Sequence, residues 1–473
     1  MRRRTKIVAT LGPVSRSKEV IHNLIIAGAN VFRLNMSHAD QQKHLETVKS
    51  IREVAAELQE NIGILIDLQG PKIRIGKFVN GKIKLAIGQQ FILDFGGRAY
   101  QGNEQSVSVD YVELIDDLTI GDQLILDDGR VVVLITAIQD KQVITKVLIG
   151  EFLSDNKGLN KKGGGLSAKA LTFKDEQDII FAAQVKADFV AVSFPRSADD
   201  MHLARALLTK AGSSALLIAK IERAEALPVI DTIILASDVI MVARGDLGVE
   251  IGLVEVPAIQ KKLIKRVREL DKAVITATQM MESMISNPIP TRAEVSDVAN
   301  AVLDGTDAVM LSAETASGDY PVAVVEMMSQ ICLASERQQE MQMFPSLVQE
   351  SFTRIDESIA MGAMYIAKHL KITAIIAFTQ TGNTPLWMSR VSSDIPILGI
   401  TDNQLALGRM TLYRGVYPIF VELGGQSFES ITVKLLTQFK QSGILQSDDT
   451  VILTSGDHFV QKGIVNSLKI LKV

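Results

Sequence analysis

The chain has 473 residues, of which 47% are hydrophobic and 22% charged, and its formal net charge is −4. This length exceeds one ordinary domain, and the small net charge gives no reason to expect nucleic acid as a partner. The single cysteine, Cys332, excludes an internal disulfide and favours the cytoplasm, and no apolar run approaches the roughly 18 residues that span a membrane.

Eight short apolar runs, each followed by a polar cluster, are typical of buried strands. In chain order they are "TKIVATLGP" (5–13), "GANVFRLNMSH" (28–38), "NIGILIDLQGP" (61–71), "KADFVAVSFPR" (186–196), "LLIAKIER" (216–223), "ASDVIMVARGD" (236–246), "KAVITATQM" (272–280) and "GTDAVMLSAET" (305–315). Helical patterns separate most of them; one begins with the capping-box spacing of Thr291 and Glu294 and ends at Gly305. Eight strand–helix units predict an α/β fold, the (β/α)8 TIM barrel, with its chemistry at the C-terminal ends of the strands.

The third strand–helix unit is interrupted between Gly70-Pro71 and the glycines at 163–165. Inside this segment, "KFVNGKIKL" and "LILDDGRVVVLI" contain Asn-Gly and Asp-Gly turns and predict two β-hairpins. We therefore expect a small β-barrel domain that is inserted at the rim and closes over the barrel mouth as a lid.

Beyond about residue 346 the pattern restarts with a helix (350–370) and the strands "TAIIAFT", "PILGIT", "VYPIFV" and "DTVILTS". This order predicts a separate C-terminal α/β domain. The expected boundaries are 1–70 and 171–345 for the catalytic barrel, 71–170 for the lid and 346–473 for the C-terminal α/β domain.

Charged side chains stand at the predicted strand ends. Period-2 alternation places Lys220 and Glu222 on one face of a strand, and pairs Arg244 with Asp246 in the same way. A buried charge is costly unless it is paired or coordinated, so Lys220 beside Glu222 indicates a functional site. Glu222 and Asp246 have no nearby His or Cys, which suits Mg²⁺ or Mn²⁺; the alternative is that these acids form salt bridges.

Three cations, Arg33, Lys220 and Arg74, lie at or just beyond strand ends. Together with a divalent ion they suit phosphoryl transfer, in which charge develops on the non-bridging oxygens. Metal-dependent aldolases and lyases acting on 2-oxo acids also use carboxylates at barrel ends and form a second candidate class. A third candidate is a non-catalytic sensor of phosphorylated metabolites that has kept the fold.

Several segments resemble the pyruvate kinase family. They are "TKIVATLGP", "NVFRLNMSHAD", "IDLQGPKIRIG", "FVAVSFPRSADD", "IAKIERAEAL", "VIMVARGDLGVEI", "LYRGVYP" and the long stretch from Thr276 to Pro321. The resemblance implies transfer of a phosphoryl group from phosphoenolpyruvate to ADP, giving pyruvate and ATP. It also implies a homotetramer.

The resemblance assigns roles to residues at the barrel rim. Lys220 would stabilise the migrating phosphoryl group and the developing enolate, and Arg33 would bind the phosphate of phosphoenolpyruvate. Glu222 and Asp246 would hold Mg²⁺ or Mn²⁺.

Further positions match the family's substrate and nucleotide sites. The backbone N–H groups of Gly245 and Asp246 would bind the substrate carboxylate, and Thr278 would assist protonation of the enolate. The matching nucleotide positions are Arg74, Asn35, His38 and Lys157.

Many members of this family require K⁺, which is held at positions matching Asn35, Ser37, Asp67 and the carbonyl of Leu68. The K⁺-dependent members have Glu where this chain has Lys72, and Thr where it has Leu68. Because an ammonium carries the same charge as K⁺, Lys72 would substitute for the ion, and we expect that K⁺ is not required. The alternative is that Lys72 is a solvated lysine of the lid.

The loop "TQTGNTP" (379–385) lies between a predicted strand and a predicted helix, and "TSGD" (454–457) would form its other wall. Its hydroxyls and N–H groups would hold the phosphate of a regulatory effector, as the resemblance implies. The candidate residues are Thr379, Thr381, Gly382, Asn383 and Thr384. The alternative is an ordinary polar loop.

Overall fold

The structure is a computed structural model, and it describes residues 3–71, 73–97, 100–165, 169–337, 352, 354–422, 428–456 and 465–473. Three predictions concern residues outside this set. They are the K⁺-substituting role of Lys72, the part of the second effector wall formed by Asp457, and the boundary at 345–346 between the barrel and the C-terminal domain.

The chain alternates strands and helices, apart from a strand-rich segment between residues 68 and 172. The strands are β1 (Lys6–Thr10), β2 (Val31–Asn35), β3 (Gly63–Asp67), β4 (Lys82–Lys84), β5 (Gln90–Asp94), β6 (Ser106–Ser108), β7 (Gln123–Leu126), β8 (Val131–Gln139), β9 (Gln142–Ile149), β10 (Phe152–Ser154), β11 (Leu159–Lys161), β12 (Phe189–Val192), β13 (Leu216–Ile221), β14 (Val239–Ala243), β15 (Ala273–Ala277), β16 (Ala308–Leu311), β17 (Ala374–Phe378), β18 (Ile397–Thr401), β19 (Val416–Phe420), β20 (Thr450–Ser455) and β21 (Ser467–Lys472). The helices are α1 (Lys18–Ala27), α2 (Gln41–Glu57), α3 (Phe173–Gln184), α4 (Ala198–Lys210), α5 (Ile230–Ala236), α6 (Arg244–Ile251), α7 (Val256–Glu269), α8 (Arg292–Asp304), α9 (Ala313–Ala316), α10 (Pro321–Glu336), α11 (Ile355–His369), α12 (Asn383–Arg390), α13 (Gln404–Met410) and α14 (Phe428–Gln441). Short 3-10 turns lie at Val112–Asp117, Asp127–Gly129, Ala224–Ala226 and Glu282–Ile285.

Eight parallel strands close into a barrel in the order β1-β16-β15-β14-β13-β12-β3-β2, which confirms the TIM barrel. Each strand falls within one of the eight predicted apolar runs. Residues such as Phe32 and Ile64 pack outward against the helices, whereas Leu65 and Phe189 belong to a second cluster that continues into the C-terminal domain. Burial on both faces is the reason that these strands appear in the sequence as continuous apolar runs.

Local sequence signals set the ends of several barrel helices. The capping box predicted for α8 forms: Glu294 N–H donates to Thr291 Oγ1 at 3.2 Å, and Thr291 N–H donates back to the Glu294 carboxylate at 2.7 Å. The helix ends at Gly305, whose φ of 94° is left-handed. Helix α3 begins with a second capping box, formed by Thr172 and Asp175.

The inserted domain contains a six-stranded sheet, in the order β11-β7-β8-β9-β5-β6, and the two-stranded sheet β10-β4. The hairpin predicted over "LILDDGRVVVLI" forms, because β7 and β8 pair in antiparallel fashion. The hairpin predicted over "KFVNGKIKL" is wrong. Its turn exists at Gly81 (φ 73°), but β4 pairs with the distant β10, which buries Ile83 against Leu153 in the domain core.

The C-terminal domain is a five-stranded sheet in the order β19-β18-β17-β20-β21, in which β21 alone runs antiparallel. Its first four strands were predicted, and β21 was not. A buried ion pair joins this domain to the barrel: Arg390 Nη1 donates to Asp307 Oδ2 at 3.0 Å, and both side chains are 1% exposed. Within the described part of the chain, no helix is long and apolar enough to cross a membrane.

Candidate active site

Two predicted cations, Arg33 and Lys220, meet around the predicted carboxylate of Asp67 at the C-terminal end of the barrel. Asp67, at the end of β3, is 1% exposed, and its Oδ2 accepts hydrogen bonds from Arg33 Nε at 2.7 Å and Arg33 Nη2 at 2.6 Å. Its Oδ1 lies 3.3 Å from Lys220 Nζ. Arg33 also donates to Thr10 Oγ1 at 3.0 Å. One buried carboxylate therefore orients two cations that come from different strands.

The two side chains that alternation placed on one face do lie together, and they form an ion pair at the end of β13. Lys220 Nζ lies 2.9 Å from Glu222 Oε1 and donates to Ser193 Oγ at 2.7 Å. The other carboxylate oxygen of Glu222 accepts the N–H of Phe194 at 2.8 Å. Ser193 donates in turn to the Leu68 carbonyl at 2.7 Å. Lys220 thus makes three contacts that hold its ammonium in one place.

Burial and charge act against each other in this network. Burial lowers the pKa of Lys220, but Asp67 and Glu222 outweigh it and leave that pKa above its ordinary value. Burial would raise the pKa of Asp67, but Lys220 and Arg33 hold it below its usual range. Burial raises the pKa of Glu222 to about 7, with Lys220 opposing the shift and Asp246 adding to it. The ammonium is therefore charged, and Glu222 is the acid that favours ionisation least.

Gly245, Asp246 and Thr278 also meet. The chain turns from strand to helix at Arg244, so Gly245 and Asp246 lie in the first turn of α6. The N–H of Gly245 donates to Thr278 Oγ1 at 2.7 Å, and that hydroxyl donates to the Ala277 carbonyl at 2.6 Å. Thr278 adopts a left-handed φ of 66°, which is rare for a branched residue and marks a constrained turn.

The predicted strand-like pairing of Arg244 with Asp246 is wrong, because α6 has already begun at this point. The Arg244 guanidinium instead donates to the carbonyls of Thr278 at 2.7 Å and Gln279 at 3.1 Å, and to Asp297 Oδ1 at 2.7 Å. It stabilises the left-handed turn from behind. Thr10, Ser193 and Arg244 were not predicted as site residues, although all three stand at strand ends, a position that could have identified them.

Two of the four predicted nucleotide positions line one cleft between the barrel and the inserted domain. This cleft has a volume of about 710 Å³ and contains His38 and Arg74, together with Asp110 and Asn156. Arg74 donates to the Asn156 carbonyl at 2.9 Å. Lys157 is elsewhere: its Nζ lies 2.7 Å from Asp127 Oδ1.

The residues predicted to form a monovalent-cation pocket lie next to one another. Asn35 and Asp67 are partners in the β2–β3 pairing, and the Asn35 side chain accepts the N–H of Ser37 at 3.0 Å. The Leu68 carbonyl accepts the Ser193 hydroxyl, and both Asp67 oxygens face cations.

The predicted effector loop joins β17 to α12. Its N–H groups are partly used internally, since Gly382 donates to Thr379 Oγ1 at 2.9 Å and Asn383 donates to Thr381 Oγ1 at 3.3 Å. The neighbouring strand β20 contributes Thr454, whose buried hydroxyl has no hydrogen-bond partner within the described residues.

Comparisons with known proteins agree with this geometry. Residues 2–325 match the family described as pyruvate kinase, barrel domain, and residues 357–471 match pyruvate kinase, alpha/beta domain. The chain belongs to the pyruvate kinase family. It is similar to the pyruvate kinase of Haemophilus influenzae (51% identity over 96% of both chains) and to pyruvate kinase II of Salmonella typhimurium (50% identity over 100% of this chain and 99% of the relative). A crystal structure of a pyruvate kinase from Cryptosporidium parvum matches with a TM-score of 0.92 and 34% identity over 99% of this chain and 96% of that one.

The resemblance predicted from the motifs is therefore confirmed. This pyruvate kinase is a phosphotransferase of glycolysis that uses phosphoenolpyruvate and ADP and forms pyruvate and ATP. The family generally uses a divalent metal. These matches favour the phosphotransferase over the aldolase, lyase and sensor alternatives.

Proposed function

We propose that Lys220 and Arg33 carry the electrostatic part of phosphoryl transfer in this pyruvate kinase. The observation that carries the proposal is the shared carboxylate of Asp67, which orients both cations at the barrel mouth. Arg33 binds the phosphate of phosphoenolpyruvate, and Lys220 stabilises the migrating phosphoryl group and the enolate oxygen. Such preorganised charges need no reorientation while the reaction proceeds.

Glu222 and Asp246 are proposed to hold Mg²⁺ or Mn²⁺. Three observations support the fit: both donors are carboxylates, the Asp246 side chain makes no hydrogen bond or ion pair within the described residues, and its charge raises the pKa of Glu222. Among the described residues no three His, Cys, Asp or Glu side chains converge, so the remaining ligands would be substrate oxygens and water. When bound, the ion would supply charge stabilisation to the transferring group.

Manganese provides a direct test of these ligands. Binding of Mn²⁺ to the substrate-free enzyme can be followed by electron paramagnetic resonance. Glu222→Gln and Asp246→Asn should each weaken binding by tenfold or more, within the 10–100-fold range typical of disturbed metal sites. Unchanged Mn²⁺ affinity in both variants would show that the ion binds elsewhere.

The first turn of α6 is proposed to bind the substrate carboxylate through the N–H groups of Gly245 and Asp246. In the present structure the Gly245 N–H donates to the Thr278 hydroxyl oxygen. A carboxylate oxygen of the substrate would take the place of that hydroxyl oxygen as acceptor. The same hydroxyl is then placed to pass a proton toward the enolate carbon. Thr278→Val should lower kcat more than it raises KM for phosphoenolpyruvate; the opposite pattern would restrict Thr278 to binding.

The cleft between the barrel and the inserted domain is proposed as the nucleotide site. Arg74 and His38 face it from opposite sides, and Asn35 supports the loop that contains His38. Lys157 would join them only after leaving Asp127. Arg74→Gln should raise KM for ADP with little change in KM for phosphoenolpyruvate, whereas Lys157→Gln tests whether that lysine contributes at all.

We also propose that the enzyme works without K⁺. The support is that Asp67 already faces two cations and that the Leu68 carbonyl already accepts a hydrogen bond, so little ligand capacity remains. Assays in choline buffer free of K⁺ and Na⁺ should give full activity, and Lys72→Glu should create K⁺ dependence. Tenfold activation of the wild type by K⁺ would overturn the proposal.

Allosteric regulation through residues 379–384 is the corresponding proposal for the C-terminal domain. The Thr454 hydroxyl beside β17, which has no hydrogen-bond partner among the residues that the structure describes, and the N-terminus of α12 support a phosphate-binding role. Sugar phosphates and nucleoside monophosphates should shift cooperativity for phosphoenolpyruvate, and Thr384→Ala should abolish the shift. Saturating levels of these compounds without any change in cooperativity would refute the proposal.

The domain boundaries, the homotetramer and the cytoplasmic location are proposals as well. Limited proteolysis should cut near residues 165–170 and 346 if the three domains are as expected, whereas the connection at the buried Gly70 should resist cleavage. Light scattering should give four times the chain mass of 51.5 kDa for a tetramer. Fractionation of the producing cells tests the location.

The complete reaction has one simple test. Purified protein is mixed with Mg²⁺, ADP and phosphoenolpyruvate, and ATP and pyruvate are measured separately. We expect both products in equal amounts. Pyruvate without ATP would indicate hydrolysis, and no product would indicate a protein that has lost catalysis.

A further inference from the structure

One carboxylate contacts both connections between the barrel and the inserted domain. The chain leaves the barrel after β3 through Gly70 and returns to it through Thr172, at the start of α3. Asp175, in the first turn of α3, is completely buried. Its Oδ1 accepts the N–H of Gly70 at 3.0 Å, and its Oδ2 accepts the N–H of Thr172 at 2.8 Å and the Thr172 hydroxyl at 2.6 Å.

A glycine in the outgoing connection explains why this segment passes so close to the barrel residue Ser193. Gly70 has a left-handed φ of 66°, and a Cβ at this position would lie 2.8 Å from the Cβ of Ser193. Only glycine allows this approach without displacing Ser193, which is the residue that accepts the hydrogen bond of Lys220. The clamped connection is therefore packed directly against the network that orients the catalytic ammonium.

The same turn of α3 also reaches the loop that carries His38. Lys174, next to Asp175, donates to the Met36 carbonyl at 2.8 Å and pairs with Asp178, which accepts the Gln41 side chain at 2.9 Å. The first turn of α3 thus contacts Met36 and Gly70, which directly precede and follow the cleft-lining residues Ser37 and Gln69.

We propose that Asp175 is a positioning residue that fixes the inserted domain relative to the barrel and so sets the distance between Arg74 and His38 across the nucleotide cleft. Its capping box alone would need only the Thr172 contacts; the bond to Gly70 is additional and links positions 105 residues apart in the sequence. Hydrogen bonds to a charged acceptor are stronger than neutral ones, so a buried carboxylate is well suited to this task. The kinetic part of the proposal rests on the proposed nucleotide site.

The critical variant is Asp175→Asn, because an amide has one accepting oxygen and cannot accept from both connections. The matched control is Glu294→Gln, which weakens the equivalent capping box on α8, far from either connection. Both variants should lose similar stability, but only Asp175→Asn should raise KM for ADP, by about tenfold, with KM for phosphoenolpyruvate nearly unchanged. Asp175→Glu keeps the carboxylate and should therefore raise KM for ADP less than Asp175→Asn does. If Asp175→Asn does not fold, Thr172→Val removes one of the three hydrogen bonds and keeps the carboxylate.

Domain orientation can be measured independently of nucleotide binding. The chain's one cysteine, Cys332, is buried, so spin labels can be placed at Ile26 on α1 and Ile120 in the inserted domain, which are 66% and 68% exposed. In the nucleotide-free enzyme, Asp175→Asn should broaden the distribution of label distances, and Glu294→Gln should not. An unchanged distribution in Asp175→Asn would overturn the proposal. A broadened distribution with normal KM for ADP would support the positioning role and instead refute the nucleotide assignment of the cleft.

Discussion

Replacing Lys220 by Met removes one charge at the centre of the proposed mechanism and little else. The ammonium lies 2.9 Å from Glu222 and 3.3 Å from Asp67, and the side chain is only 12% exposed. Methionine has a similar length, and Asp67 keeps its pairing with Arg33. Glu222 loses its counter-charge, and because burial already raises its pKa it can hold a proton instead, so the fold should persist. At about 4 Å and an effective dielectric constant near 20, a unit charge contributes roughly 4 kcal/mol. Because each ~1.4 kcal/mol changes a rate tenfold, we expect kcat to fall by about 10³-fold.

The assay follows pyruvate through its reduction by NADH and lactate dehydrogenase, at saturating Mg²⁺, ADP and phosphoenolpyruvate. Lys261→Met is a suitable control, because Lys261 is a 57% exposed lysine of α7 whose partner is Asp304. The kcat of that control should stay within about twofold of the wild-type kcat, since exposed ion pairs contribute little. If Lys220→Met keeps more than a tenth of the wild-type kcat, or changes only KM, the electrostatic role assigned to Lys220 is wrong.

Three further predictions follow from buried contacts. Asp307→Asn removes the charge that pairs with Arg390, and it should lower the free energy of unfolding by about 3 kcal/mol or more in urea denaturation; a stability loss below 1 kcal/mol would mean that the pair is dispensable. Burial raises the pKa of Glu250 from its ordinary 4.5 to about 7. Between these two pH values the folded state keeps a proton that the unfolded state has released, so the free energy of unfolding falls as the pH rises from 4.5 to about 7. Glu250→Gln should therefore resist urea better than the wild type at pH 8 and equally at pH 5, and equal resistance at both values would contradict this. Arg244→Lys keeps the charge but loses the fork that contacts the carbonyl of Thr278, and should lower kcat about tenfold together with the free energy of unfolding; an unaltered kcat would show that the turn holds without it.

The barrel was predictable from the sequence because parallel strands buried on both faces leave an unmistakable apolar run. The ends of α8 were predictable for a different reason: a capping box and a terminal glycine act within a few residues. The inserted domain shows the limit. Its Asn-Gly turn was identified correctly, yet the partner of β4 is β10, and a turn signal carries no information on pairing across such a distance.

The site was predictable to the extent that strand ends converge in a barrel. Lys220 lies near the end of β13 and Glu222 one residue beyond it, so strand alternation still predicted that the two side chains lie together. Asp67 was assigned to a monovalent-cation pocket from the family resemblance, and only the structure shows it between Arg33 and Lys220. Arg244 was misread because the register of a strand ceases to apply where a helix begins, and that point was not visible in "VARGD".

With the proposed roles, the side chains of the site carry more negative than positive charge. Two cations, Arg33 and Lys220, stand with three carboxylates, Asp67, Glu222 and Asp246, so the side chains alone carry a net negative charge toward an anionic substrate. The cations are thus well oriented but largely neutralised, and orientation is what Asp67 supplies. A divalent ion at Glu222 and Asp246 would reverse the sign of the site. In that arrangement the carboxylates would serve two separate purposes: Asp67 fixes the position of positive charge, and the other two would determine whether the site attracts phosphoenolpyruvate at all.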